Sequence, residues 1–341
     1  MIKSAESVKR GHPDKICDQI SDAILDECLA QDENSRVAVE TMGGHGKIYI
    51  CGEITTKAIV DFKSVAKNVY RDVGYSPDAV EVIDNVAVQS LDIAMGVDNG
   101  GAGDQGIMVG YACAKNHGMV PHELYLARKM TMLVEKLQDD KILPDGKAQV
   151  TLDDNDKIIA MVISNQTMDE KYFEEMVKEK VLSDEEIEDA ITPDTKIFIN
   201  PTGKFEIGGF DADTGLTGRK LAVDNYGPNV PLGGGCFSGK DPSKVDRSAA
   251  YMARKIAVDY LKKYGADEAL VKLAYIIGRA EPAMASALLK IGGEEKFINL
   301  LEDGNGYDLT PRGIINFLDL KRPIYFKTSQ HGHFGHGFGW E

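Results

Sequence analysis

Three stretches of the sequence combine glycines, cationic side chains and carboxylates in a way that suits phosphate binding. The first is Gly11-His12-Pro13-Asp14-Lys15, which the pattern places at the start of a helix. The free N–H groups and the positive end of the dipole at a helix start favour anions. His12 and Lys15 would add cationic donors for phosphate, and Asp14 could hold a magnesium ion. On this pentapeptide alone the other interpretation is equally open: Asp14 caps the helix and His12 packs locally.

The second stretch, Gly100-Gly101-Ala102-Gly103-Asp104-Gln105-Gly106, has four glycines in seven residues. Glycine allows a backbone to approach another group closely. A flexible connector would explain the glycines but has little use for the Asp104–Gln105 pair. The composition therefore favours a functional loop, with Asp104 as its candidate site residue.

The third stretch, over 208–220 and 233–247, is the richest in glycine and charge. Gly234 to Lys240 fits the first part of a P-loop, but Asp241 stands where that motif needs a hydroxyl for magnesium, so this is not a P-loop. Glycines beside cations still describe a polyphosphate cradle, with Asp246 placed to hold a metal among the phosphates. The cations concerned are Arg219, Lys220, Lys240 and Lys244. The alternative is a loop of solvated charges, which the gathering of bases in an acidic chain argues against.

The net charge of −15 is unevenly distributed along the 341 residues. Residues Asp169 to Asp194 hold eleven acids and three bases, whereas Arg219 to Arg247 hold five bases and three acids. The overall charge argues against nucleic acid and anionic membranes as partners, but it leaves an anionic small molecule open. Because we find no signal peptide and no apolar run long enough to span a bilayer, we expect a cytoplasmic protein. The five cysteines lack CxxC spacing and indicate reduced thiols.

Two periodicities alternate along the chain and predict an α+β fold. Helices are predicted over 14–29, 59–73, 121–138, 171–181 and 244–264, the last ended by Gly265. Strands are predicted over 36–42, 47–54, 80–88, 107–112, 196–199 and 219–223, with a further hairpin over 148–164. Hairpin and helix recur about three times, which indicates antiparallel-rich sheets, each covered on one face by helices. The histidine-rich segment over 331–336 is typical of a packed or surface tail rather than a metal site.

Taken in order, the motifs resemble those of the methionine adenosyltransferase (S-adenosylmethionine synthetase) family. The resemblance runs from about Glu6 to the C-terminus, and so many motifs in register make it specific. The matching segments are Ala5-Glu6-Ser7-Val8, GHPDK (11–15), DQISDA (18–23), GEITT (52–56), GAGDQG (101–106), NPTGKF (200–205), GLTGRK (215–220), GGGCFSGKDPSKVDRSAA (233–250) and GHFG (332–335).

The resemblance implies the family's reaction. Methionine sulfur attacks C5′ of ATP and expels the whole tripolyphosphate, which is then cleaved to phosphate and pyrophosphate. The residues fit this chemistry, because a leaving group of about four negative charges needs cations and metal ions around it. A thioether sulfur is already nucleophilic, so no general base is required. The implied partners are ATP and L-methionine, and the implied cofactors are two Mg²⁺ ions per site and K⁺.

Matching positions carry the family's site residues over to this chain. Asp14 and Asp246 would hold the two Mg²⁺ ions, and Glu40 matches the potassium site. The implied ATP-binding residues are His12, Lys15, Asp145, Lys147, Lys204, Phe205, Asp213, Arg219, Lys220, Cys236 and Lys240, with Phe205 stacking on the base. The implied methionine-binding residues are Glu53, Gln89, Asp213 and Lys244. The residues expected to assist catalysis are His12, Asp104, Lys147, Arg219, Lys220 and Lys240.

The fold that the resemblance implies has three similar domains around a pseudo-threefold axis. The N-terminal, central and C-terminal regions would be 1–98, 99–204 and 205–341, with structural domains interleaved across them. Subunits of the family pair through broad, flat sheet faces, and their sites form between subunits. A homodimer with sites at the subunit interface is therefore expected, with a tetramer as the further assembly open to it.

Three departures from the family pattern have consequences. The loop around 93–100 is shorter than in most relatives, so gating of the site would be simpler or slower. Cys236 stands where alanine is common, and a cationic glycine loop would lower the pKa of its thiol and make it reactive. Since the chain ends at Glu341, the family's C-terminal helix would be missing, which would weaken assembly beyond the dimer.

Two other functions stay open at this point. One is a different magnesium-dependent ATP enzyme, such as a kinase or a polyphosphate hydrolase, which the same cations and carboxylates would serve. The other is a nucleotide-binding regulator without catalysis. The presence of His12, Asp14, Lys240 and Asp246 together argues against the regulator.

Overall fold

The computed structural model describes residues 1–88, 100–304 and 306–341, and it contains three four-stranded sheets with helices packed against them. The strands are β1 (Lys3–Val8), β2 (Arg36–Gly44), β3 (Lys47–Thr55), β4 (Glu81–Ala87), β5 (Gly106–Cys113), β6 (Ile142–Leu152), β7 (Ile158–Thr167), β8 (Lys196–Ile199), β9 (Gly215–Leu216), β10 (Glu268–Tyr275), β11 (Met284–Ile291) and β12 (Glu294–Asn299). The helices are α1 (Pro13–Gln31), α2 (Phe62–Val73), α3 (His122–Lys136), α4 (Glu170–Met176), α5 (Glu185–Ala190), α6 (Leu221–Asp224), α7 (Val245–Tyr264), α8 (Pro311–Phe317) and α9 (Tyr325–Thr328).

The first sheet has the order β4-β3-β2-β9, and helices α1 and α2 pack against each other next to it. Its core follows from sequence periodicity: Ile16, Ile20 and Ile24 recur every fourth residue of α1 and are fully buried. Val37 and Val39 alternate along β2 and are also buried. The other face of β2 and β3 is left exposed, and that exposed face later becomes part of the candidate site.

The second sheet has the order β1-β6-β7-β8 and is covered by α3. The N-terminal strand β1 pairs antiparallel with β6, a strand from the middle of the chain. The third sheet has the order β12-β11-β10-β5, and α7 packs on β5 and β10. Gly110 permits that packing, because an added Cβ there would lie 2.0 Å from the backbone of Ala253.

The predicted fold class is confirmed: the chain is α+β, with three mostly antiparallel sheets and their helices forming three domains. One predicted strand is wrong. Residues 219–223 do not form a strand, because Gly218 adopts φ 81° and turns the chain, and α6 follows at Leu221. The extended pairing here is confined to Gly215 and Leu216, which bond to β2.

The histidine-rich end of the chain, for which a packed or a surface tail was predicted, is packed. His333, Phe334 and Trp340 are buried, and the Trp340 ring stacks on Tyr251 at 3.8 Å between centroids. Over the described ranges, the helices are all too short or too polar to cross a membrane.

Candidate active site

Helix α1 organises the site through four aspartates at a spacing of four residues. Asp14, Asp18, Asp22 and Asp26 therefore share one face of the helix. Each carboxylate accepts a backbone N–H from a distant C-terminal segment; the donors are Leu216 at 2.9 Å, Gly218 at 2.8 Å, Gly239 at 2.8 Å and Tyr325 at 2.9 Å, respectively. This series holds the two glycine-rich loops against one helix.

The first cationic group surrounds Asp14. Its carboxylate is 1% exposed and lies 3.1 Å from the Nε of Arg219 and 2.6 Å from the Nζ of Lys220. Gly215, just before these cations, lets the loop touch the helix, since an added Cβ would lie 2.2 Å from the carbonyl oxygen of Pro13. Arg219 stays 47% exposed, so the pair presents positive charge outward.

His12 is the N-cap of α1, and its Nδ1 accepts the N–H of Asp14 at 3.2 Å. Burial, followed by the charge of Lys220, lowers the pKa of His12 to about 4, and Lys147 acts in the same direction. The imidazole is therefore neutral near pH 7, and with Nδ1 as acceptor the proton resides on Nε2. The expectation of a cationic His12 is wrong; the residue is a neutral hydrogen-bond donor. The cap is likewise His12 and not Asp14.

The second cationic group lies on the loop before α7. The Nζ of Lys240 is 2.6 Å from Asp246, whose other oxygen accepts the N–H of Gly235 at 3.1 Å. Gly239 fixes the loop to the first sheet: its φ is 81°, and an added Cβ would lie 1.9 Å from the carbonyl oxygen of Val39. Only glycine satisfies both constraints, so Lys240 is held at a defined position.

Lys244 pairs with the buried carboxylate of Asp241. That carboxylate also accepts N–H bonds from Val37 at 2.7 Å and Ser243 at 2.9 Å. Burial raises the pKa of Asp241, but the Lys244 ammonium and these hydrogen bonds outweigh it, so the net pKa is lowered. Lys244 is thus held as the N-cap residue of α7, four residues after Lys240.

The two glycine-rich loops touch at Cys236. An added Cβ at Gly218 would lie 2.5 Å from the Cβ of Cys236. Burial raises the pKa of the Cys236 thiol to about 11, and the charge of Lys240 lowers it too little to compensate. The predicted lowering of this pKa is wrong, because desolvation of the thiolate dominates over the neighbouring cation. Cys236 is a packing residue between the loops rather than an activated thiol.

Two carboxylates from the exposed face of the first sheet adjoin Lys240. Glu40 on β2 and Glu53 on β3 are both exposed, and Ala38, the cross-strand partner of Glu53, bridges to Lys240. Burial and then the charge of Glu53 raise the pKa of Glu40, while Lys240 lowers it. The predicted potassium-site and methionine-site glutamates therefore lie together beside the second cationic group.

Several predicted residues lie near the first group. Lys147 on β6 and Asp213 are exposed, and both act electrostatically on His12. Asp145 is buried and accepts the N–H of Gly209 at 2.9 Å, and burial raises its pKa to about 6. Asp104 is exposed, and the segment that carries it ends at Gly106, where an added Cβ would lie 3.8 Å from Asp246.

Lys15 does not occupy the predicted position at the phosphates. Its side chain is 1% exposed and its Nζ pairs with Asp18 at 3.0 Å and with Asp224 at 2.5 Å. A buried ammonium with two carboxylate partners has no surface to offer to ATP, so the prediction of a direct contact is corrected to a structural ion pair.

Lys204 and Phe205 lie on the segment after β8. Lys204 is exposed and pairs with Glu206 at 3.0 Å, and the N–H of half-buried Phe205 donates to Glu170 at 3.0 Å. These contacts do not join them to either cationic group. Gln89 lies outside the described residues, as does most of the loop over 93–100.

The carboxylates present suit metal ions that phosphate also ligates. The described residues contain no group of three or more histidine, cysteine, aspartate or glutamate side chains that could hold a metal ion. Magnesium is commonly held by one or two carboxylates with phosphate oxygens and water completing the shell. Asp14 and Asp246 each provide one such carboxylate. Lys220 pairs with Asp14 and Lys240 pairs with Asp246, so a metal ion would compete with these lysines for the two carboxylates.

Residues that hold the site were missed by the sequence interpretation. Asp22 and Arg247 form a fully buried pair, with two N–O distances of 2.7 and 2.8 Å, and Arg247 also donates to the carbonyl of Lys240 at 3.1 Å. The signal was available in the period-four aspartates of α1, which mark a polar stripe on a largely buried helix. A buried stripe of that kind must have partners elsewhere in the chain.

Models of one family match consecutive segments of the chain. They are the S-adenosylmethionine synthetase N-terminal domain over residues 1–95, its central domain over 99–205 and its C-terminal domain over 207–341. An S-adenosylmethionine synthase of Brachyspira hyodysenteriae is 45% identical over an alignment of 377 residues, which covers 99% of this chain and 95% of that protein. An S-adenosylmethionine synthase of Mycoplasmopsis synoviae is 44% identical over 360 residues, covering 99% and 94%. The chain belongs to the S-adenosylmethionine synthetase family.

Proposed function

We propose that this member of the family joins L-methionine to the adenosyl group of ATP. The methionine sulfur attacks C5′, an S–C5′ bond forms, and the C5′–O bond to the tripolyphosphate breaks. The tripolyphosphate is then hydrolysed to phosphate and pyrophosphate. The observation that carries the proposal is the approach of two glycine-rich cationic loops to α1, where Leu216 bonds to Asp14 and Gly239 bonds to Asp22. On these loops Lys220 pairs with Asp14 and Lys240 pairs with Asp246 of α7.

The two cationic groups would receive the tripolyphosphate. Arg219, Lys220 and Lys240 now bond to carboxylates and would transfer part of that bonding to phosphate oxygens when ATP binds. Because Asp14 and Asp246 already fix the positions of these cations, little reorganisation is needed as charge develops on the leaving group. Lys147 would add a further cation from the second sheet.

His12 would act on the same leaving group as a neutral donor. Its Nδ1 is engaged by the N–H of Asp14, so Nε2–H is free to bond to the oxygen that leaves C5′. The Nδ1 of His12 lies 4.0 Å from Asp14 Oδ2. Because the ring carries no charge, it forms no ion pair with this carboxylate, and its Nε2–H can stabilise the negative charge that develops on the leaving oxygen. The orientation of the ring is set by the cap, which makes the cap part of the mechanism.

Enzymes of this family need metal ions for catalysis. Asp14 and Asp246 would hold magnesium, and Glu40 would contribute to a potassium site. When bound, magnesium would offset charge on the polyphosphate as the C5′–O bond breaks. Around it, the chain's own contribution is to keep each carboxylate fixed: Leu216 bonds to Asp14 and Gly235 bonds to Asp246.

The methionine substrate would lie next to the second cationic group. Lys244 supplies a cation for the methionine carboxylate, and Glu53 supplies a carboxylate for its ammonium group. Asp213, which acts electrostatically on His12, would contact the methionine from the side of the first cationic group. This arrangement orients the thioether toward C5′ while the phosphates stay on the cationic loops.

We also propose that two copies pair through the exposed face of the first sheet. That face carries Met42, Tyr49 and Leu216, which are 42%, 37% and 37% exposed, around Glu40 and Glu53. Large apolar side chains around site carboxylates suit a subunit interface that contains the site. In sedimentation velocity, Leu216→Asp is expected to give monomers with little activity. Ile59→Asp, at a loop residue 91% exposed, is the matched control and should leave the assembly unchanged.

One assay separates the proposed reaction from its alternatives. The protein is incubated with ATP, L-methionine, Mg²⁺ and K⁺, and the products are quantified. S-adenosylmethionine, phosphate and pyrophosphate in equal amounts, formed only with methionine present, are expected. ADP would indicate a kinase, phosphate release without methionine would indicate a polyphosphate hydrolase, and ATP binding without products would indicate a regulator. Family membership favours none of these three.

Lys240→Met tests the phosphate assignment. The side chain is partly exposed, so the fold should be kept, while the barrier should rise by about 2 to 4 kcal/mol, as on loss of one oxyanion donor. The measurement is kcat/KM for ATP, with thermal unfolding as the check on folding. Lys171→Met, at an exposed lysine on α4, is the control and should turn over normally. Near-normal turnover of Lys240→Met would contradict the assignment.

A further inference from the structure

A cavity of about 560 Å³ lies beside the proposed active site. Its described lining includes none of the residues assigned above to ATP, methionine or metal ions. The start of β2, the Gly100–Gly101 segment, the turn before α7 and helix α8 with the residues after it form its walls. The volume falls within the range of small-molecule sites.

Three cations line this cavity. Arg36 is 3.9 Å from Asp241, and Lys321 is 2.6 Å from the Oδ1 of Asn34 and 3.8 Å from Glu33. Arg312, at the start of α8, is exposed, and in the ranges 1–88, 100–304 and 306–341 it has no ion-pair or hydrogen-bond partner. A guanidinium without a partner at the wall of a cavity is available to an anion.

The carboxylates of the cavity do not cancel these cations. Asp241 already pairs with Lys244 and accepts N–H bonds from Val37 and Ser243. Glu33 is 68% exposed at the rim, and its distance to Lys321 allows only a weak, screened interaction. The cavity therefore keeps an excess of positive charge although the whole chain is acidic.

We propose that this cavity binds a small anion that carries a phosphate group. Phosphate oxygens accept donors from several directions, which matches Arg36 on the β2 wall and Arg312 and Lys321 on the wall formed by α8 and the residues after it. A carboxylate offers two coplanar oxygens and would satisfy only part of that set. The volume exceeds that of phosphate alone, so an organic part fits beside the group.

Calorimetric titration of the purified protein with inorganic phosphate tests the proposal. Saturable binding to the wild type is expected, with an affinity at least about tenfold lower in Arg312→Gln, the loss typical of one charged hydrogen bond. Arg322→Gln is the matched control: it is 59% exposed and paired with Asp319 outside the cavity, and it should bind as the wild type does.

Equal phosphate affinity in the wild type and Arg312→Gln would place the anion elsewhere, at the proposed active site for instance, and overturn the proposal. Absence of saturable binding to the wild type would also overturn it. Acetate titrated in parallel should not bind, and equal affinity for acetate would refute the assignment to phosphate. No ATP, methionine or turnover enters the measurement, so its outcome is independent of the proposed reaction.

Discussion

At the residue scale, His12 combines two roles that are usually separate. As the N-cap of α1 it accepts the N–H of Asp14, and as a neutral imidazole it has Nε2–H left for substrate. The lowered pKa, about 4, arises first from burial and then from Lys220. Titration of His12 should therefore affect turnover only near pH 4 and not near pH 6.5, the ordinary value for histidine.

The two roles of His12 can be separated by substitution. Asparagine is a good N-cap, so His12→Asn should keep the free energy of unfolding within about 0.5 kcal/mol of the wild type. Its amide does not reach the position of Nε2, so turnover should fall by about 10² to 10³, as on loss of one transition-state donor. His12→Ala should lose activity similarly and about 1 kcal/mol of stability as well.

The measurements for this pair are kcat and chemical denaturation of the same preparations. If His12→Asn turns over normally, the side chain acts only as a cap. If His12→Ala is as stable as the wild type, the cap contributes nothing and the orientation of the ring must be set in another way. Either result would contradict the combined role.

At the element scale, α1 and the C-terminal loops act as one unit through the aspartate series. The Asp22–Arg247 pair is its most buried member, since both side chains are 0% exposed. The same carboxylate accepts the N–H of Gly239, which fixes the loop that carries Lys240. The positions of the predicted phosphate ligands thus depend on a carboxylate one helix away.

Asp22→Asn should destabilise the protein strongly. The amide leaves the Arg247 charge buried without a countercharge, which typically costs about 3 to 5 kcal/mol. The free energy of unfolding from urea titration checks this, with Asp140→Asn, at an exposed residue of the α3–β6 connection, as the matched control. A loss under about 1 kcal/mol for Asp22→Asn would show that the pair does not hold α7 to α1.

The elements could largely be predicted because burial is recorded in local periodicity. Ile16, Ile20 and Ile24 predict α1, and the alternation in β2 predicts a half-buried strand. The strand predicted over 219–223 failed because Gly218 turns the chain before it, and because the pairing of Arg219 and Lys220 with Asp14 is not recorded in the local pattern.

The same limit applies within the site. The glycine-rich loops and their cations could be predicted locally, since composition alone marks a phosphate cradle. The partners of Lys15 could not, because Asp224 lies 209 residues away in the chain. The pKa of Cys236 could not be predicted locally either, because it depends on how deeply two distant loops bury the thiol.

At the scale of the whole molecule, the packed end of the chain makes stability depend on pH. Burial lowers the pKa of His331 to about 3 and that of His336 to about 4, with nearby arginines contributing. His333, fully buried, has its pKa lowered as well. In the unfolded chain each would titrate near 6.5, so below that pH the unfolded state binds more protons than the folded state. These histidines therefore destabilise the fold as the pH falls from about 6.5 toward 4.

Buried carboxyls act in the opposite direction. Burial raises the pKa of Asp26 to about 7 and that of Asp145 to about 6, so the folded state holds these protons more tightly than the unfolded state. Their contribution to stability grows as the pH falls through those values and is complete below about pH 4, the ordinary range for aspartate. The pH dependence of the stability is the sum of these opposing contributions from the histidines and the carboxyls. A substitution of one histidine therefore separates its contribution from the rest.

His336→Gln isolates one histidine. The Nε2 of His336 lies 3.0 Å from the carbonyl oxygen of His331, and the glutamine amide can donate the same bond without titrating. At pH 5 the wild-type histidine should cost about 2 kcal/mol relative to pH 8, from 1.36 kcal/mol per pKa unit over the gap between 6.5 and 5. Between pH 8 and pH 5, the free energy of unfolding of His336→Gln should therefore fall by about 2 kcal/mol less than the free energy of unfolding of the wild type. His117→Gln, at a histidine in the turn between β5 and α3, serves as the control and should parallel the wild type. Parallel curves for His336→Gln and the wild type would show that His336 titrates normally in the folded protein, and the packed tail would then not be the source of acid sensitivity.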